Sequence, residues 1–184
     1  MKIQIRDTSP SFITAANFGF PLEFNIKLRD ALVDPADAIV SPANSFGFMD
    51  GGIDWAYTKF FGPELQKDVQ DAIKTLPFSE LLVGQAILVP TRNSHIPNLI
   101  VAPTMRLPSI IHDSVDVLLA TRAAVRVALQ NGYRTITIPG MGTGAGKMAA
   151  NTAVKRMLQG IDEAFNPPDF PTSWRSARSK YAWE

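Results

Sequence analysis

The sequence contains no cysteine. Disulfides and thiolate zinc sites are therefore excluded, and the chain suits a reducing compartment. Histidine is nearly absent too. His95 and His112 both sit in loop-like contexts, and Asp113 beside His112 is the one adjacent carboxylate. Metal catalysis has little to build on, because a catalytic metal needs several clustered ligands. Net charge is close to absent, at +1, so bulk electrostatics names no partner and nucleic acid would need a local patch. No apolar run approaches the ~20 residues that span a bilayer. The start, Met-Lys-Ile-Gln-Ile-Arg, alternates apolar and polar residues as a strand does, unlike a signal peptide. The expected location is the cytoplasm.

What is present is a globular composition, 46% apolar and 19% charged. Its 184 residues fit one domain, 1–184, with a core of about 37–165 and a tail over 166–184.

Residues 37–54 organise the chain. Ala38, Ile39 and Val40 make an apolar run too short for a helix. Pro42 ends the ladder because it has no N–H to donate. Asn44 follows at the strand's carboxyl end. A loop with Gly47, Gly51 and Gly52 leads to Asp54 and an apolar segment, 55–61, that reads as a helix. A glycine-rich loop between strand and helix lets backbone N–H groups point at an anion. A second unit of this kind runs from a strand at 135–139, through Gly140, Gly142, Gly144 and Gly146, into a helix over 147–165. Ligands of parallel sheets bind outside the carboxyl ends of the strands. Two such loops are suited to closing on one phosphate-bearing ligand.

Rival motifs fail on spacing. A P-loop needs its first glycine one position later than Gly140, and Met148 stands where Ser or Thr must hold magnesium. Gly140-Met-Gly142-Thr143-Gly144-Ala145 satisfies G-x-G-x-x-A, with Asp162 about 20 residues on, but lacks a following strand. A dinucleotide-binding protein stays as a minor alternative. There is no G-x-S-x-G elbow, and Ser41 precedes a proline with no evident base.

The first loop resembles that of macro domains, whose usual form is Asn-Ala-Ala-Asn, a spacer, then Gly-Gly-Gly-Val-Asp. Here it reads Ser41-Pro42-Ala43-Asn44, five residues, then Asp50-Gly51-Gly52-Ile53-Asp54. The second loop, Pro139 to Gly146, resembles that family's Pro-Ala-Ile-Ser-Thr-Gly diphosphate loop. The departures are Ser41-Pro42 for Asn-Ala, Asp50 for the first glycine, and Gly146-Lys147 where the family often has an aromatic and a glycine. The resemblance implies an α/β fold, a three-layer α/β/α macro domain with a mostly parallel mixed sheet. Its antiparallel edge is expected at the first strand.

For function it implies binding of ADP-ribose or a derivative, and hydrolysis of an ADP-ribosyl bond. The substrate it implies would be an ADP-ribosyl ester on a macromolecule or ADP-ribose 1″-phosphate. The alternative is a binding module that does no chemistry. Asn44 would hold the distal ribose and Asp54 would activate water. Asp7 would accept from the adenine amino group. Ala43, Asp50, Gly51, Gly52, Ile53, Gly140, Gly142, Thr143, Gly144, Ala145 and Gly146 would line the ligand. The bland readings are a loop-fixing Asn44, a helix-capping Asp54 and a solvated Asp7. No metal or cofactor is required and no membrane is expected. Nucleic acid is a partner only if it carries ADP-ribose, and oligomeric state stays open.

Elsewhere, a strand is expected over 1–8, an extra segment over 9–21, and helices over 22–33, 63–74 and about 113–131. Strands are expected over 84–90, as a central strand, and 99–103, with Thr104, Met105 and Arg106 at the pocket's edge. Trp174, Tyr181 and Trp183 are expected to pack the tail onto the domain.

Overall fold

A computed structural model describes residues 1–181. Six strands form one sheet: β1 (Lys2–Asp7), β2 (Asn25–Leu28), β3 (Ala38–Ser41), β4 (Ile87–Pro90), β5 (Asn98–Val101) and β6 (Thr135–Ile138). Their order across the sheet is β2-β1-β6-β3-β5-β4. Every pairing is parallel except β4 with β5. The antiparallel edge is thus β4, not β1. Residues 84–90 were expected as a central strand, but β4 lies at the edge. Pro90, which cannot donate to a ladder, is tolerated there.

The helices are α1 (Pro10–Gly19), α2 (Gly52–Phe61), α3 (Glu64–Lys74), α4 (Asp116–Gln130), α5 (Ala150–Phe165) and α6 (Trp174–Tyr181). Strand alternation sorts the core into two layers. Ala38, Val40 and Ile100 point to the face under α1, α4 and α5. Ile39, Leu99 and Val101 point to the face under α2 and α3. This is the pattern of a sheet buried on both sides.

The second face is covered differently at its β2–β1 end. Gln4 and Arg6 are buried there, and the segment 29–36 lies over them. Arg6 spends all five guanidinium donors within the protein. Nε meets Asp34 at 2.5 Å, and Nη1 and Nη2 reach Ile5 O, Asn25 O, Gln4 Oε1 and Asn25 Oδ1. The Arg6 guanidinium in turn holds the Asp34 carboxyl below its usual range.

This end corrects the sequence reading most. Residues 22–33 form no helix. Phe24, Ile26 and Leu28 recur with period two, which is a strand's period, and Asn25–Leu28 pairs with β1. The helix lies instead in 9–21, where Ser9 Oγ caps it by accepting from Phe12 N at 3.3 Å and Pro10 takes its first turn. In the tail, Trp174 is 86% exposed, not packed onto the domain. Trp183 and the Tyr181 side chain lie outside the described residues.

Helices α4 and α5 cross at Gly160. A Cβ there would lie 2.5 Å from Leu118 O and 3.0 Å from Arg122 N, both backbone atoms that cannot swing away. Gly160→Ala is expected to destabilise the fold by about 1–3 kcal/mol despite alanine's better helix propensity. A urea midpoint equal to or above wild type would contradict this packing.

Candidate functional site

Parallel strands deliver their carboxyl ends to one edge of the sheet, and a cleft of about 780 Å³ runs along that edge. It crosses the ends of β2, β1, β6, β3 and β5, four strand spacings or about 19 Å. Asp30 and Asp7 stand at one end, the β6 loop in the middle, and the β3 loop with Met105 at the other. All fourteen site residues expected from sequence line this cleft: Asp7, Ala43, Asn44, Asp50 to Asp54, Gly140, and Gly142 to Gly146. A larger groove of about 1080 Å³ lies between α1, α5 and α6. Its walls are mainly the sides of these helices.

The middle of the cleft presents backbone N–H groups of the kind that suit an anion. Helix α2 begins at Gly52 with no side chain capping it, so the first amides, from Gly51 to Asp54, keep unspent N–H groups. Gly52 has φ +56, a backbone conformation that a side chain strains. The β6 loop closes on itself through Met148 N to Gly142 O at 3.1 Å and Lys147 N to Gly144 O at 3.2 Å. Gly146 O accepts from Ile111 N at 2.8 Å. Among the described residues, the amides of Thr143, Gly144, Ala145 and Gly146 donate to no protein acceptor. Gly146 must be glycine for space. Its Cβ would sit 2.5 Å from Gly142 O and 2.6 Å from the Ile111 side chain. Lys147 has φ +53 and is exposed away from the cleft, so α5 starts only at Ala150.

At the β3 end, Asp54 is 7% exposed. Ser41 Oγ donates to Asp54 Oδ1 at 2.6 Å. Burial pushes the Asp54 carboxyl up to about 6, and the Ser41 bond opposes that rise. Ser41 is fully buried. It is no nucleophile but an anchor for Asp54, a role hidden from sequence because thirteen residues separate the pair. Below them Tyr57 Oη donates to Val40 O at 3.0 Å.

Asn44 is committed to its own loop. Its Oδ1 accepts from Phe46 N and Phe48 N, and its Nδ2 donates to Phe48 O at 2.8 Å. One N–H remains for a ligand. Ladder-like contacts hold this loop beside the end of β5: Thr104 N to Ala43 O, Asn44 bridging Met105, and Ser45 N to Arg106 O. Thr104 and Met105 line the cleft, whereas the Arg106 side chain turns out to Glu80.

At the far end, Asp7 binds inward. Oδ1 accepts from Ser9 N at 2.7 Å and Oδ2 from Gly140 N at 3.0 Å. Asp30, which follows β2, was missed by the sequence reading because a helix was assigned there. Its Oδ1 accepts from Leu32 N at 2.9 Å, and Oδ2 is left open to the cleft. Among the described residues no cluster of His, Asp and Glu is placed to hold a metal, and no helix is long and apolar enough to cross a membrane.

A strand–loop–helix pair of this geometry is the architecture of macro domains. The Macro domain family model matches residues 40–157, and the chain belongs to that family. An uncharacterized protein of Aquifex aeolicus is 35% identical over 126 residues, covering 68% of this chain and 73% of its own. The macrodomain of Mycobacterium tuberculosis DarG superposes with a TM-score of 0.63 at 20% identity, over 73% of this chain and 86% of that one. The Trypanosoma brucei macrodomain, solved in complex with ADP-ribose, gives 0.60 at 20% identity, over 73% of this chain and 53% of that one. At such identities the structural matches speak for the fold.

Asp54 also sets a pH dependence. Its folded value lies above the ordinary 3.8, so the folded state keeps a proton that the unfolded state has lost. Stability is therefore highest below about pH 4 for this group and falls as pH rises through about 6. The loss amounts to about 3 kcal/mol at 1.36 kcal/mol per pH unit. Relative to Asp54→Asn, wild type is expected to lose that much between about pH 4 and pH 7 in urea titrations. A difference between the two proteins that does not change with pH would contradict the burial of the charge.

Proposed function

We propose that the cleft binds ADP-ribose or a derivative of it and hydrolyses an ADP-ribosyl bond. The observation that carries this reading is the pairing of two unspent sets of backbone N–H groups with one buried carboxylate beside them. The amides of 51–54 and 143–146 bracket the diphosphate, as helix N-termini and backbone nests do. The adenine end lies toward β1 and β2. There Asp30 Oδ2 is the open acceptor for an amino group, and Asp7 braces the second loop. The distal ribose lies toward β3 and β5, with Asn44 offering its remaining N–H.

Asp54 takes the proton of a water whose oxygen attacks the anomeric carbon. The bond from that carbon to the leaving group breaks, and the leaving group is released. A general base poised near 6 is largely ionised at neutral pH and contributes typically ~10²–10⁴-fold.

The second reading is binding without turnover. It is favoured by the commitment of Asn44 to its loop, which leaves that side chain one N–H for a ligand. A dinucleotide-binding role loses its support, since among the described residues no strand follows α5 to complete a βαβ unit.

Titration with ADP-ribose is expected to show micromolar binding and much weaker binding of AMP. An ADP-ribosyl ester substrate is expected to turn over with a rate that rises with pH through about 6. Asp54→Asn, whose Oδ1 can still accept from Ser41 Oγ, is expected to keep binding and lose about 10²-fold or more in rate. Full hydrolysis by Asp54→Asn would remove Asp54 from the mechanism. Binding with no turnover by wild type would select the second reading.

A further inference from the structure

One segment of the chain is bonded to both glycine loops. It follows β5 and runs over residues 104–111, from one loop to the other. Its first residues hold the β3 loop. Thr104 N donates to Ala43 O at 3.1 Å, Thr104 Oγ1 to Pro42 O at 3.2 Å, and Ser45 N to Arg106 O at 3.1 Å. Its last residue holds the β6 loop, through Ile111 N to Gly146 O at 2.8 Å. Between these ends, Leu107 to Ile110 are exposed and make no hydrogen bond among the described residues. The segment is a short span held at both ends and stiffened by the fixed φ of Pro108.

Nothing else joins the loops so directly. The pairing of β3 with β6 stops at Ile39 and Thr137, before either loop begins. Among the described residues no hydrogen bond runs from one glycine loop to the other.

The Ile111 end also shapes the loop it holds. Ile111 is 8% exposed, whereas Ile110 beside it is 63% exposed. Its side chain is wedged where the β6 loop closes on itself. A Cβ added at Gly142 would lie 3.3 Å from Ile111 Cδ1, and one at Gly146 would lie 2.6 Å from Ile111 Cγ1. The unspent amides of 143–146 suit an anion better when the carbonyls of the same loop are directed elsewhere, because a carbonyl oxygen is the negative end of the peptide dipole. Gly142 O and Gly144 O are taken by the loop's own turns, from Met148 N and Lys147 N. Gly146 O is taken from outside, by Ile111, which does not line the cleft.

We infer that segment 104–111 is a brace that keeps the two glycine loops at the spacing a shared ligand requires, and that Ile111 is the positioning residue at its β6 end. Ile111 touches no ligand and acts through Gly142 and Gly146. This rests on the proposed reading of the cleft and adds how its two sets of amides are kept in step. A ligand that needs both sets binds more weakly in proportion to the molecules in which the spacing is lost.

The test is calorimetric titration of the full chain with ADP-ribose. Ile111→Ala removes the wedge and is expected to bind about tenfold more weakly than wild type. Ile111→Val keeps the branch that contacts Gly146 and is expected to stay within about threefold. Ile161→Ala deletes the same atoms from the same core layer, near the far end of α5. It is expected to lower the urea midpoint and leave affinity unchanged. Two glycines inserted between Ser109 and Ile110 lengthen the span and leave both ends in place. That insertion is expected to weaken binding several-fold and to shift the 143–146 amides in the NMR spectrum of the free protein. Wild-type affinity in either the insertion or Ile111→Ala overturns the inference and leaves the function standing. So does an equal loss of affinity in Ile161→Ala, which would make the effect one of general stability. Failure of wild type to bind ADP-ribose overturns the function and this inference with it.

Discussion

The contact from Ser41 Oγ to Asp54 Oδ1, 2.6 Å long and buried, joins the last residue of β3 to the first turn of α2. It takes a carboxylate out of water, which costs free energy unless the charge is compensated. One hydroxyl and the helix dipole compensate part of it, and the remainder appears as the raised proton affinity of Asp54. The contact also ties the first turn of α2 to the strand end. The three residues before Asp54, Gly51 to Ile53, line the cleft with their N–H groups unspent. A strand that ended in an apolar residue would leave both the carboxylate and the helix start without this anchor.

The site then follows from parallel topology. Each strand delivers its carboxyl end to the same edge, and each loop contributes what its backbone conformation allows. The β3 and β6 loops contribute amides because glycine permits the positive φ at Gly52 and Gly142 and the close approach at Gly146. Charge is not how this cleft would hold the proposed diphosphate. Its aspartates oppose an anion, and directed N–H groups at short range must offset them. Such a site is selective by placement, because an anionic group shifted away from the amides meets carboxylates.

Much of this was legible in the sequence, for definite physical reasons. The two glycine loops could be read because glycine spacing after a short apolar run is a local signal, and the structure brings all the residues expected at the site to one cleft. The strands around them, at 38–41, 98–101 and 135–138, were equally plain. The first ninety residues were harder. Phe24, Ile26 and Leu28 were counted as apolar content when their period of two was the information. That assigned a helix where β2 lies and concealed Asp30. The α1 helix was hidden by its setting between two prolines, although Ser9-Pro10 is a ready start signal. Ser41 carried no local signal, since its partner is thirteen residues away and becomes a neighbour only when β3 and α2 pack. The edge position of β4 was illegible because it is set by which neighbours pair, and its apolar residues fit a central strand as well.

The central claim is that two backbone segments, one from each glycine loop, grip the same ligand. Amide-resolved NMR during titration with ADP-ribose tests this most directly. The account predicts large, saturating shifts of the 51–54 and 143–146 amides at one common midpoint, with the α6 amides unmoved. Shifts confined to one loop, or midpoints that differ between the loops, would contradict it.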